Sequence, residues 1–232
     1  MAAAEPLAPL QAGVHDGLSW LLAAPSGGAR AGVVILHGAG SAKESHLDFA
    51  RACAAGGLAA LAFDARGHGA SAGALDGRAA QDVASMAGVL RERAGVERVG
   101  LRGSSMGGYL ALVSAAGAQA GAVVAICPAA ARLLAAGIAS GRHGFRADAA
   151  AVAAFLQAND EVEAIRRATA PILLQHAEDD EVVPVAHSRV LHAAAPAGRS
   201  TLVVVPGGDH RSVQHDPARQ AEAVAFLRRG LG

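Results

Sequence analysis

Aromatic residues make up only 3% of this 232-residue chain, and Lys43 is its single lysine. So few rings argue against a large aromatic-lined pocket and leave small or aliphatic groups as its natural contents. The two cysteines, Cys53 and Cys127, lie in apolar stretches with neither metal-ligand spacing nor the density of a disulfide scaffold. Both read as buried small hydrophobes in a reducing compartment. Excess charge is missing too: 20 basic residues balance 20 acidic ones, which argues against nucleic acid or an anionic membrane surface as a partner. No run reaches the roughly 18 apolar residues of a transmembrane helix. The opening MAAAEPLAPLQ carries neither the basic nor the apolar region of a secretory signal. A soluble, cytoplasmic protein is expected, of a length that fits one domain over residues 1–232.

What is present is a regular alternation. Leu10 to Val14 and Leu18 to Ala23 flank His15-Asp16-Gly17 as an antiparallel hairpin. Continuous apolar runs follow at Gly32 to Leu36, Leu58 to Phe63, Val99 to Leu101, Ala122 to Ile126, Pro171 to Gln175 and Ser200 to Val205. Such runs read as strands buried on both faces. Helical stretches separate them at Ser45 to Ala55, within Gly77 to Ala94, and at Tyr109 to Ala116 and Pro184 to Ala194, with Pro217 to Arg229 closing the chain. The pattern predicts an α/β fold with a mostly parallel eight-stranded sheet, an antiparallel N-terminal hairpin and helices on both faces. Only residues 129–170 break it, where two or three Ala-rich helical segments fill a connection that needs about ten to twelve residues. That insertion predicts a small helical lid or pocket wall.

Two pentapeptides fit Gly-x-Ser-x-Gly. Gly69 to Gly73 lies in a glycine-rich loop with no strand leading in, so Ser71 reads as a loop residue. Gly103 to Gly107 follows a strand and precedes a helix, so a sharp turn would hold Ser105 exposed on a strained backbone, as a nucleophile requires. A serine needs a base to accept its proton, and the base needs a third group to orient it. Of ten histidines, His15, His46, His143, His187 and His192 fall in turns or on helices and read as surface polar residues. His210 ends Pro206-Gly207-Gly208-Asp209-His210 directly after the last strand, and is favoured over His215, which sits where the closing helix begins. For the acid, four carboxylates, Glu178 to Glu181, crowd the loop after Gln175.

In that order of serine, acid and histidine the chain resembles the α/β-hydrolase family, nearest to small bacterial serine esterases, dienelactone-hydrolase-like proteins and serine-aminopeptidase-like lipases. Four motifs carry the resemblance: His37-Gly38-Ala39-Gly40, Asp64-Ala65-Arg66-Gly67-His68-Gly69, Gly103 to Gly107, and Asp180 to Pro184. The chain departs from the pattern at His176-Ala177, where relatives commonly have His-Gly, and at Ser104, where many have histidine. The resemblance implies a catalytic triad of Ser105, Asp180 and His210, with the acid at Asp180 in place of Asp179. It also implies an oxyanion hole from the backbone N–H groups of Ala39 and Met106. Asp64, Arg66 and His68 read as braces of their own loop. The expected activity is cleavage of small-molecule carboxylic esters with no cofactor and no metal. Thioesterase, peptidase or perhydrolase chemistry on the same triad is an alternative, and a non-catalytic binding module on the same fold is another.

Overall fold

A computed structural model describes residues 7–141 and 144–232. The hairpin strands β1 (Gln11–His15) and β2 (Leu18–Ala23) open the chain and turn on Asp16 and Gly17, both at positive φ. The remaining strands are β3 (Ala31–Leu36), β4 (Ala59–Phe63), β5 (Arg98–Ser104), β6 (Ala120–Ile126), β7 (Ile172–Ala177) and β8 (Ser200–Val205). They form one eight-stranded sheet in the order β1-β2-β4-β3-β5-β6-β7-β8, antiparallel at β1-β2 and β2-β4 and parallel elsewhere.

Most of the unbroken apolar runs have the cause the sequence suggests: β3 to β7 pack on both faces, whereas β8, expected to be buried on both faces, is only half-buried at the edge of the sheet and β1 at the other edge is exposed. On β3, Val34 and Leu36 join one core with Leu61, Met86, Leu90 and Tyr109, while Val33 and Ile35 join the other with Phe49, Cys53, Val124 and Leu227. The first core is covered by α2 (Ala79–Ala94) and α3 (Met106–Ser114), the second by α1 (Leu47–Ala55) and α9 (Pro217–Leu231).

Several element ends differ from expectation. The helix expected from Ser45 is a 3₁₀ turn at Lys43–His46 leading into α1. β5 continues past Leu101 through Arg102, whose guanidinium is fully buried over the Phe49 ring, donating to His46 Nδ1 at 2.8 Å and to the Gln214 carbonyl at 3.0 Å. Burial lowers this arginine to about 10. Residues 129–170 contain α4 (Ala131–Ala139), α5 (Ala149–Ala158) and α6 (Glu161–Arg166). Asp148 and Asp160 cap α5 and α6 by accepting from Ala151 and Glu163 N–H groups. Between β7 and β8 lies α7 (Ala186–Ala194), and a short α8 (Ser212–His215) precedes α9. His143 lies outside the described residues. Among the described residues no helix is long and apolar enough to cross a membrane.

Candidate active site

β5 ends at Ser104, α3 starts at Met106, and Ser105 between them has φ 54° and ψ −118°. A positive φ on a non-glycine residue costs on the order of 1–3 kcal/mol and persists only where its surroundings enforce it. Here they do. The Ser105 N–H donates to the Ile126 carbonyl at 2.9 Å, and its own carbonyl accepts from Tyr109 and Ala129 at 3.0 and 3.1 Å. The glycines around it allow a close approach more than flexibility. A Cβ on Gly103 would run into the Gly107 carbonyl, and one on Gly107 into the Leu36 carbonyl. On Gly108 it would press on Pro128 at 3.0 Å. The helix expected from Tyr109 therefore begins three residues earlier, because Gly107 and Gly108 are helical residues packed against strand backbone.

Ser105 opens into a cleft of about 400 Å³ that Gly38, Ala39 and His210 also line. His210 reaches it from the loop after β8, where Gly207 and Gly208 both have positive φ. Its Nδ1 lies 2.7 Å from Asp180 Oδ2. A carboxylate can only accept, so Nδ1 carries the proton and Nε2 is the nitrogen left to take one. Asp180 is held in turn: its Oδ1 accepts from the Val182 and Val183 N–H groups at 2.9 and 2.8 Å. Asp179 is exposed, whereas Asp180 is buried.

Two further groups meet this carboxylate. His176, fully buried, places Nε2 3.3 Å from Asp180 Oδ2 and 2.8 Å from the Val183 carbonyl, while its Nδ1 lies 2.6 Å from the Ser188 hydroxyl. The sulfur of Cys127, buried just past the end of β6, lies within 4.8 Å of an Asp180 carboxylate oxygen and a His210 ring nitrogen. Burial alone would raise the Asp180 carboxyl, but the hydrogen bonds from His176, His210 and the Val183 N–H outweigh it and hold the group well below the usual carboxylate range. Neither His176 nor Cys127 was marked for this by sequence. His176 read as the first residue of a loop, although β7 runs through it to Ala177. Cys53 and Cys127 both lie buried in the second core, as the sequence suggests.

The loop after β3 supplies the facing wall. A Cβ on Gly38 would lie 3.4 Å from Ser105 Cβ, so the loop backs directly onto the serine. His37 Nε2 accepts from the Ala65 N–H at 3.0 Å, and the opposite nitrogen faces the Gly38 carbonyl at 2.8 Å. This fixes a neutral ring with its proton on Nδ1. Burial lowers the His37 pKa in the same sense. Met106 is the first residue of α3, where helix geometry leaves the backbone N–H without an intrahelical partner. Ala39 lines the cleft.

The other motif residues serve the scaffold. The buried Asp64 carboxylate binds Lys43 Nζ at 2.7 Å, the Lys43 N–H at 2.7 Å and the Ala70 N–H at 2.8 Å. Arg66 pairs with Asp82 at 2.9 Å and Asp16 at 2.8 Å. The His68 ring stacks on Phe145. Ser71 Oγ donates to the Asp64 carbonyl at 2.6 Å and accepts from the Ser19 N–H at 2.8 Å. His215 pairs with Asp48 at 2.8 Å. His46 and His187 are more buried than surface residues, His46 against Arg102 and His187 near Glu161.

This sheet, with a serine on a tight strand-to-helix turn, defines an α/β-hydrolase. The chain belongs to the serine aminopeptidase S33 family of hydrolases (Hydrolase_4), whose model matches residues 27–145. The match spans the Ser105 turn and the loop of His37 to Gly40. Among solved structures the chain is similar to the α/β hydrolase GrgF from Penicillium sp. sh18, with TM-score 0.75 and 17% identity over 97% of this chain and 99% of that one. It is similar to Est1E from Butyrivibrio proteoclasticus, solved with ferulic acid, at TM-score 0.73 and 20% identity over 95% and 98%. A third likeness is to the Paleococcus ferrophilus monoacylglycerol lipase, at TM-score 0.65 and 20% identity over 86% and 93%. At these identities the likenesses show the fold. No curated protein sequence matches the chain.

Proposed function

We propose that the protein hydrolyses carboxylic esters of small or aliphatic acyl groups through an acyl-enzyme on Ser105. The observation that carries this reading is the 2.7 Å contact between Asp180 and His210, with the histidine on the same cleft as a serine at φ 54°. Ser105 Oγ attacks the ester carbonyl while His210 Nε2 takes its proton. Asp180 keeps the ring in the required tautomer and stabilises the imidazolium. The N–H groups of Ala39 and Met106 receive the developing oxyanion. His210 then returns the proton to the leaving alkoxide, and a water activated by the same nitrogen releases the acid.

An apolar wall for an aliphatic acyl group is available beside Met106, where Tyr109, Leu134, Ile138, Val152 and Phe155 close around a seam of only about 10 Å³ that would have to open to admit it. Leu134 and Ile138 belong to α4 and Val152 and Phe155 to α5, so these helices would act as the lid. The family description favours one second reading, cleavage of an aminoacyl bond, for which Glu181 at the cleft offers a partner to a substrate ammonium. Turnover of p-nitrophenyl acetate, butyrate and octanoate beside aminoacyl anilides separates the two. The ester reading expects the esters to be cleaved and His210→Gln to lose nearly all of that rate. Anilide turnover with inert esters would overturn it.

A further inference from the structure

The loop that carries Asp180 is fastened from inside by a buried histidine. β7 stays paired with β8 to its end, His176 with Val204 and Ala177 with Val205, and the chain then turns through residues 178–185 before α7 begins at Ala186. His176 reaches across that turn. Its Nε2 lies 2.8 Å from the Val183 carbonyl and its Nδ1 2.6 Å from the Ser188 hydroxyl of α7. A carbonyl can only accept, so Nε2 carries a proton and, in the neutral ring, Nδ1 is left to take the hydrogen of Ser188. His176, Val183 and Ser188 are all buried. Val183 is also one of the two residues whose N–H groups hold Asp180 Oδ1, at 2.8 Å beside the 2.9 Å bond from Val182. It thus bonds the acid through its N–H and the histidine through its carbonyl.

We infer that His176 is a positioning residue for Asp180: it clamps the Val183 carbonyl, and with it the turn whose N–H groups aim the Asp180 carboxylate at His210. The inference rests on the triad proposed above. Two fixed elements hold the clamp, since the ring grows from a paired strand and its far nitrogen is anchored on α7. Its Nε2 also lies 3.3 Å from Asp180 Oδ2, the oxygen that His210 Nδ1 meets at 2.7 Å, so the clamp sets a positive ring N–H against the acid itself. Without the ring, the buried Val183 carbonyl would lose this donor, and a buried acceptor left unpaired is costly enough to move a turn. The other titratable and charged groups near the clamp are His210 across the carboxylate, Cys127 from the end of β6, and Asp179 and Glu181 on either side of Asp180. His187, beside Ser188 on α7, lies 3.5 Å from Glu161 of α6.

The test reads the ring nitrogens by ¹H–¹⁵N correlation, which reports the tautomer of the neutral His210, alongside kcat and KM for p-nitrophenyl acetate. The His210 signals are assigned by their loss in His210→Gln. In the wild type His210 is expected in its Nδ1–H form. His176→Leu, which fills the space without a donor, is expected to move His210 toward the Nε2–H form and to lower kcat roughly ten- to hundredfold, with KM within about twofold of wild type. His176→Gln, whose amide can donate to Val183 and accept from Ser188, is expected to restore the Nδ1–H form and most of kcat. Should His176→Leu not fold, Ser188→Ala serves in its place: it removes only the partner of Nδ1, and a kcat loss of about threefold is expected, the effect of one neutral hydrogen bond. A folded His176→Leu or Ser188→Ala with the wild-type tautomer and kcat overturns the inference, as does a glutamine variant as impaired as the leucine. Wild-type His210 in its Nε2–H form overturns it too, by removing the Asp180 contact that the clamp serves. Turnover surviving in Ser105→Ala would sink the triad itself, while the tautomer comparison would still be readable. A dead Ser105→Ala with an unshifted His176→Leu sinks only the role of His176.

Discussion

The ammonium of Lys43 lies 2.7 Å from the Asp64 carboxylate, both side chains buried, and joins the segment after Ala39 and Gly40 to the loop after β4. The chain's only lysine is thus spent on bracing the wall opposite Ser105. Breaking a buried pair from one side leaves an uncompensated charge and costs about 3–5 kcal/mol. Lys43→Met is expected to lose stability on that order in urea unfolding and to lower kcat. Removing both charges in Lys43→Met/Asp64→Asn should recover part of the loss.

Asp180 gives the stability a pH dependence of defined sign. Its folded pKa is depressed, so its contribution is complete above the unfolded value of about 3.9 and disappears as the pH falls through the lower folded value. Unfolding free energy should therefore fall as the pH drops below about 4, and Asp180→Asn should show a shallower fall over the same window. Equal slopes in wild type and variant would contradict the hydrogen-bond arrangement around Asp180.

Two glycines make opposite predictions. Gly107→Ala forces a Cβ into the Leu36 carbonyl and should yield little folded protein. Gly88, in the middle of α2, has nothing within 4 Å of an added Cβ, so Gly88→Ala should stabilise by about 0.5–1 kcal/mol, read as a higher urea midpoint.

How much of this was legible in the sequence depends on what each position required. The strands β3 to β7 could be read because a strand buried on both faces must be apolar throughout, as in Val33-Val34-Ile35-Leu36, while the exposed β1 was legible through the turn at His15-Asp16-Gly17. Arg102 hid the end of β5, since a charged residue signals solvent, whereas here its guanidinium lies buried over the Phe49 ring and donates to His46 and a distant carbonyl. Gly107 and Gly108 signalled a turn where the structure has a helix, because close approach and flexibility select the same residue. The loop from Glu178 to Glu181 offered four carboxylates that composition could not rank; family resemblance pointed to Asp180, and burial beside His176 and His210 distinguishes it. Cys127 was legible as a buried small hydrophobe, but its nearness to Asp180 and His210 was not, since it depends on a positive φ at the end of a strand.

Ser71 and Ser105 share a pentapeptide pattern but not an environment, since both lone-pair and proton of the Ser71 hydroxyl are engaged with backbone. Ser71→Ala is expected to cost about 1–3 kcal/mol through the Ser19 N–H left unpaired, with ester turnover retained in the folded fraction.

The most direct test of the account is peptide mapping by mass spectrometry after labelling with a fluorophosphonate. The account predicts one adduct, on Ser105, that is absent in Ser105→Ala and present in Ser71→Ala. Native protein that takes up no label, or an adduct mapped to Ser71, would contradict it.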